Sequence, residues 1–353
     1  MLLSAGRVWW TLLAPTGGPA SGSQWRWSAP SPLDQMPDYR LFGSTLRSQL
    51  HLPELRTSGG TPVRWALTTT NTLPSVSNPV VMGQEEVEPG VGVKLTRHDS
   101  GLRLTFDDTG TFDISPDGST ISWCPPSLPD MDAARKDVLG RVLSVCLHLQ
   151  GSMVLHGSAV DLDGHAVAFL APKFHGKSTT AAALVDSGAR LLADDLVVVS
   201  SEKPPTVLPS LPYVQLWQDS AKHVAPDTVA VEGSEASKKA QRRWDLPGRV
   251  ADSAVTLAAI YLLAPIPPTE LATVARRQLS AVEGTLAMLG QAKVGVLLGV
   301  EQRAALVRQL GDLAEQIPVF RLALPRDFER LGEVTDALWR WHGTAGRACP
   351  PSS

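Results

Sequence analysis

The residues best equipped for chemistry stand between His156 and Val199. Gly176-Lys177-Ser178-Thr179 closes a tight segment, Ala171 to Ser178 (APKFHGKS). Before it, Ala166 to Leu170 is a short, bounded apolar run, the pattern of a buried strand. After it, Thr179 to Ser187 reads as a helix, stopped by Gly188 where a C-terminal glycine belongs. Strand, loop ending in Gly-Lys-Ser, and helix together form the setting of a phosphate-binding loop.

Elementary chemistry explains these residue types. The first N–H groups of a helix have no intrahelical partner and carry partial positive charge, so a polyphosphate sits well against them. Gly176 lets the backbone approach phosphates closely. Lys177 can reach the β- and γ-phosphates as a point charge. Ser178 can turn its hydroxyl toward Mg²⁺, with Thr179 beside it. The loop also departs from the usual pattern, because Ala171 stands where the first glycine belongs and Lys173, Phe174 and His175 fill its middle. A plain strand–turn–helix with a solvated Lys177 is the competing reading.

Two further pieces weigh against that competitor. Leu191-Leu192-Ala193 leads into Asp194-Asp195 and then Leu196 to Val199, a second buried strand with two carboxylates at an end or bulge. Parallel strands joined by a helix would place this acidic pair on the same edge as the loop. One carboxylate there can hold Mg²⁺ and the other can take a proton from an acceptor hydroxyl. Adjacent strand residues face opposite ways, so only one of the two is expected to aim at the phosphates. His156 precedes a strand-like segment, Ser158 to Leu162, and an Asp163-Gly164 turn.

The order His-Gly, short hairpin, Gly-Lys-Ser, and an Asp-Asp pair after Leu-Leu-Ala resembles the HPr kinase/phosphorylase family. It looks most like the HPr-kinase-like proteins found beside bacterial peptide and natural-product genes. The resemblance runs over about residues 37–342, with its specific motifs in 155–199. Pro209 to Ser220 and Lys238 to Leu263 are also similar. It implies an HPr-kinase-like, PEP-carboxykinase-like α/β core that uses ATP and Mg²⁺. Lys177 and Ser178 would bind them, with Ala171, Lys173, Phe174, His175, Gly176 and Thr179 as the rest of the loop. His156, Asp194 and Asp195 would serve transfer, and Ser178 and Asp194 would hold the metal. That family usually has glycine where this chain has Phe174.

Other elements must position these residues. At 353 residues and 43 % apolar the chain can bury a proper core. A net charge of −3 argues against a nucleic-acid surface. Three widely spaced cysteines, Cys124, Cys146 and Cys349, suit a reducing, cytoplasmic setting and no metal cluster. No apolar run is long enough for a membrane-spanning helix. Arg7 before Val8–Ala14 suggests a signal peptide. That run is short and lacks a clean cleavage site, so 1–36 is expected to be a disordered leader or the product of an upstream start codon. The tail 343–353 also reads as unstructured.

Residues 37–125 read as a β-rich N-terminal domain. Leu102–Phe106, Phe112 to Ile114 and Ile121 to Trp123 form a meander around a Pro116-Asp117-Gly118 turn. After a Pro-rich linker, 130–342 reads as the phosphate-loop domain. Helices are expected over Met131–Leu149, Ala281–Leu289, Glu301–Ile317 and Asp327–Trp341. Strands are expected over Tyr213–Trp217, Leu257–Ala264 and Pro318–Leu322. A polar stretch over 225–250, with Lys238, Lys239, Arg242, Arg243 and Arg249, could close over phosphates or hold an acidic substrate.

The expected function is transfer of the ATP γ-phosphate to a hydroxyl on a peptide, protein or small molecule, with neither nucleic acid nor membrane as partner. Self-association is expected from the resemblance. Two alternatives stay open: a phosphorylase acting on phosphoserine, and a non-catalytic nucleotide-binding scaffold.

Overall fold

The computed structural model describes residues 36–225, 229–230, 241–267 and 273–344. The leader over 1–35, Lys238, Lys239 and Cys349 lie outside the described residues. Eight strands come first: β1 (Asp38–Leu41), β2 (Ser44–Ser48), β3 (Val63–Thr69), β4 (Val80–Glu88), β5 (Val91–His98), β6 (Gly101–Phe106), β7 (Gly110–Ile114) and β8 (Thr120–Cys124). They make one sheet in the order β1-β2-β3-β8-β7-β6-β5-β4. The run β8-β7-β6-β5-β4 is antiparallel, while β2, β3 and β8 pair in parallel. Alternation explains which face is dry. Leu102, Leu104, Phe106, Phe112, Ile114, Ile121 and Trp123 are buried. Phe112 stacks on Trp123 at 5.8 Å, and the indole N–H donates to the Thr109 carbonyl at 2.9 Å.

The connection to the second sheet is helical. Asp130 caps α1 (Met131–Asp137), accepting from the N–H groups of Asp132 and Ala133. A π-helical turn, Val138–Val142, joins α1 to α2 (Leu143–Leu149), so the single helix expected over 131–149 is interrupted at its middle. Val138, Val142, Val145 and Cys146 are buried as their spacing requires.

The second sheet carries the chemistry-bearing residues. Its first members are β9 (Met153–Leu162), β10 (His165–Leu170), β11 (Arg190–Ala193), β12 (Leu196–Val199) and β13 (Thr206–Leu208). A separate antiparallel trio follows: β14 (Tyr213–Trp217), β15 (Val229–Ala230) and β16 (Gln241–Asp245). The large sheet resumes with β17 (Val255–Ile266), β18 (Ala275–Gln278) and β19 (Val319–Pro325). Among these, β9, β12, β13, β17 and β10 pair in turn and the path closes on itself. Strands covered on both faces read as unbroken apolar runs; Ala166–Leu170 and Leu196–Val199 are buried throughout.

Helices pack around this ring: α3 (Lys177–Asp186), α4 (Gln218–Val224), α5 (Ala281–Leu289), α6 (Val300–Gln316) and α7 (Leu331–His342). The molecule is mixed α/β with two large sheets. No helix among the described residues is long and apolar enough to cross a membrane.

One expectation about the site strands is corrected. His156 lies within β9, not ahead of a strand beginning at Ser158. The loop-bearing strand β10 and the strand after the aspartates, β12, run in the same direction, as expected, without pairing with each other. β9 runs between them, antiparallel to both. A two-residue turn, Asp163-Gly164, joins β9 to β10 with φ of +51° and +91°, the primed hairpin geometry that matches the twist of paired strands.

Candidate active site

β9 is the rib that assembles the site. Its register sets Gly157 opposite Leu170, the last residue before the 171–176 loop, and His156 opposite Leu196, the first strand residue after the aspartates. Loop and acidic pair therefore flank the same short piece of β9. A Cβ at residue 157 would fall 2.5 Å from the Leu170 side chain and 2.7 Å from the Phe169 carbonyl oxygen, so this approach needs glycine.

The loop turns into α3 at Gly176, whose φ is +88°. A Cβ there would meet nothing within 4 Å, so glycine serves the left-handed backbone and not a tight contact in the described chain. Phe174 is also left-handed, with φ +69°. That costs a non-glycine residue on the order of 1–2 kcal/mol. Its ring lies against Trp217 at 5.2 Å, a packing contact that offsets the strain. The residue that departs from the glycine-rich pattern thus keeps a glycine-like backbone. No side chain caps α3, so its leading N–H groups are open to an anion.

Ala171 is buried and its side chain belongs to the core. Its contribution is the carbonyl, which with that of Pro172 accepts from Lys177 Nζ at 2.8 and 3.0 Å. Lys177 is only 7 % exposed, and burial pushes its amine down to about 8. Lys173 is exposed at the cleft edge. His175 turns its Nδ1 to the Lys173 carbonyl at 2.9 Å. Thr179 donates to Ser220 Oγ at 3.0 Å.

Asp194 is the best-held carboxylate. Ser158 and Ser178 hydroxyls donate to Oδ1 at 2.6 and 2.8 Å, and the Gln215 N–H donates to Oδ2 at 2.9 Å. Burial pushes its carboxyl above the usual range, opposed by these donors. Asp195 takes the positive φ of +66° that breaks β11 from β12. Its Oδ1 lies 3.0 Å from His156 Nδ1 and its Oδ2 accepts from Lys293 Nζ at 2.8 Å. Partial burial would raise this carboxyl, but the Lys293 ammonium and the His156 ring outweigh it and hold it well below the usual range. His156 Nε2 is buried without a partner among the described residues.

A cleft of about 330 Å³ opens over these groups, lined by His156, Lys173, Lys177, Ser178, Asp194 and Asp195 among others. A second cavity of about 440 Å³ lies beyond the aspartates and shares Asp194, Asp195 and Gln215 with the first. It is lined on its far side by Glu54 from the N-terminal sheet region, Arg135 and Lys136 from α1, and Arg243 from β16.

Among solved structures the chain is similar to the HPr(Ser) kinase/phosphatase from Coxiella burnetii. The identity is 14 % and the TM-score 0.28, over 53 % of this chain and 96 % of that one. No family model and no curated protein matches it.

The oxygens of Asp194 and Ser178, 2.8 Å apart, are hard donors of the kind Mg²⁺ takes. That ion needs only one or two carboxylates when phosphates and water complete its shell, so the residues present fit it. Ser158, Gln215, Trp217 and Lys293 escaped sequence reasoning. Lys293 is 98 residues from Asp195 and arrives because its segment pairs with the β9 edge through Leu155 and Ala292. Nothing local in the sequence announces that bridge.

Proposed function

We propose that this chain is an ATP-dependent kinase that passes the γ-phosphoryl group to a hydroxyl of a peptide, protein or small molecule. One observation carries the reading: an uncapped α3 begins with Lys177 and Ser178, and the Ser178 hydroxyl lies 2.8 Å from a buried, triply hydrogen-bonded Asp194. Loop and helix N–H groups would hold the phosphates, and Lys177 would leave the Ala171 and Pro172 carbonyls to meet them. When bound, Mg²⁺ would neutralise charge between the β- and γ-phosphates, held by Asp194 and Ser178.

The acceptor oxygen forms its bond to the γ-phosphorus as the bond to the ADP oxygen breaks, and the hydroxyl proton passes to the Asp195 carboxylate late in the transfer. The acceptor enters from the 440 Å³ cavity, because Asp194 and Asp195 wall both spaces. Asp195 is ionised and held by Lys293 and His156, so it orients the hydroxyl through a hydrogen bond more than it draws the proton early. A loose transition state tolerates that, since positioning and charge do most of the catalysis.

The test is Mg·ATP binding by thermal shift on the wild type and on Lys177→Ala. At nucleotide a hundredfold above Kd the wild type should gain about 2.7 kcal/mol, and the variant none. A wild type that does not shift in millimolar Mg·ATP would overturn the proposal.

A further inference from the structure

A third space, of about 340 Å³, adjoins the phosphate cleft on the side away from the aspartates. The two share Phe174, Gly176, Thr179 and Trp217. Its character differs. The central cleft is walled mainly by charges, whereas this one sets Phe174, Trp217, Phe328, Leu331 and the prolines 265 and 325 beside the charged Asp219, Arg326 and Asp327. Two aromatic platforms stand in its wall. Phe174 is 48 % exposed with Trp217 beside it. Phe328 is 37 % exposed and is backed by the His223 ring at 4.2 Å and 7°. Each ring keeps a substantial part of its surface exposed. Exposed apolar rings gathered at one cleft are the mark of a ligand site, and an aromatic ligand can stack on them.

The surroundings say what that partner is. Phosphates seated on the start of α3 end at Thr179, and Thr179 lines both spaces. A ligand that continues from those phosphates into the third space meets aromatic rings, with Asp219, Arg326 and Asp327 at its wall. We infer that this aromatic cleft binds the base of the nucleotide, a purine stacked on Phe328 and Phe174. This rests on the kinase reading for the phosphate cleft and adds the site of the base. It also gives Phe174 a reason to stand where a glycine-like φ of +69° is required: the strained backbone presents a ring to the base.

The probes are Mg·ATP and Mg·tripolyphosphate, titrated by calorimetry into the wild type, Phe328→Leu and Phe174→Gly. The informative quantity is the ratio of the two affinities in one preparation, which cancels any unfolded fraction. The wild type should bind ATP more tightly than tripolyphosphate. Phe328→Leu, which keeps apolar volume but removes the ring, should weaken ATP roughly five- to hundredfold, the range for one lost base–aromatic stack, and leave tripolyphosphate unchanged. Phe174→Gly should also lower the ratio. Equal affinities in the wild type, or a ratio indifferent to both substitutions, would overturn the base site while leaving the phosphate site standing. Failure of both probes to bind the wild type would overturn the phosphate reading and this inference with it.

Discussion

Lys177 is a buried cation whose only hydrogen-bond partners among the described residues are two carbonyls of its own loop, and that arrangement has a measurable cost. Burial brings its amine from an ordinary 10.5 to about 8. Between those values the unfolded chain binds the proton that the folded chain has released, so stability rises with pH across this window. Below pH 8 the folded chain carries the full penalty. The gap between 10.5 and about 8, at about 1.4 kcal/mol per pH unit, puts it at about 3–4 kcal/mol. Lys177→Met fills similar space without the charge and lacks this dependence. Urea denaturation of both proteins at steps from pH 7 to 10.5, without nucleotide, isolates the effect, because every other group cancels in the difference. The wild type should gain about 3 kcal/mol on the variant between pH 8 and 10.5. Parallel stability curves would refute the reasoning. Bound triphosphate should flatten the wild type's rise with pH, since the phosphates give the ammonium a partner and restore its hold on the proton.

Asp194→Asn should leave the fold within about 1 kcal/mol of wild type, because the amide oxygen can take the Gln215 N–H while the two serine hydroxyls rotate to accept. Nucleotide binding should then become indifferent to EDTA; retained metal dependence would show that Asp194 is not the metal ligand. Gly157→Ala should cost about 1–3 kcal/mol, since the Phe169 carbonyl it meets is backbone and cannot turn aside. Wild-type stability in a denaturant titration would show that β9 and β10 yield more easily than their contact implies.

Much of the site's local grammar was legible in the chain. The spacing from Ala166 to Gly188 marked strand, loop and helix because each has its own periodicity and stop signal. The Leu102–Trp123 meander was legible for the same reason, and α5 falls on Ala281–Leu289 as read. What escaped was long-range. β4 is exposed along much of its length, so no dry face marks it. The placement of β9 between β10 and β12 depends on pairing, to which hydrophobic pattern is blind. Ser158 and Gln215 looked like ordinary strand residues, and only the fold turns both toward Asp194. Asp195 was foreseen as one of a pair, but its left-handed backbone and its bond to Lys293 were not.

The Asp163-Gly164 turn gives β9 a further meaning. A strand's side chains alternate, so a slip of one residue would carry His156 and Ser158 out of the cleft together and bring in Leu155 and Gly157. The two-residue turn is therefore the gauge that sets the site's phase. A single residue inserted there would detune both the loop end and the carboxylate end at once, although the turn contributes no side chain to the cleft. Length changes in loops not tied to β9 would leave that phase alone. In this molecule the interval that keeps the loop end and the carboxylate end in step is only two residues long.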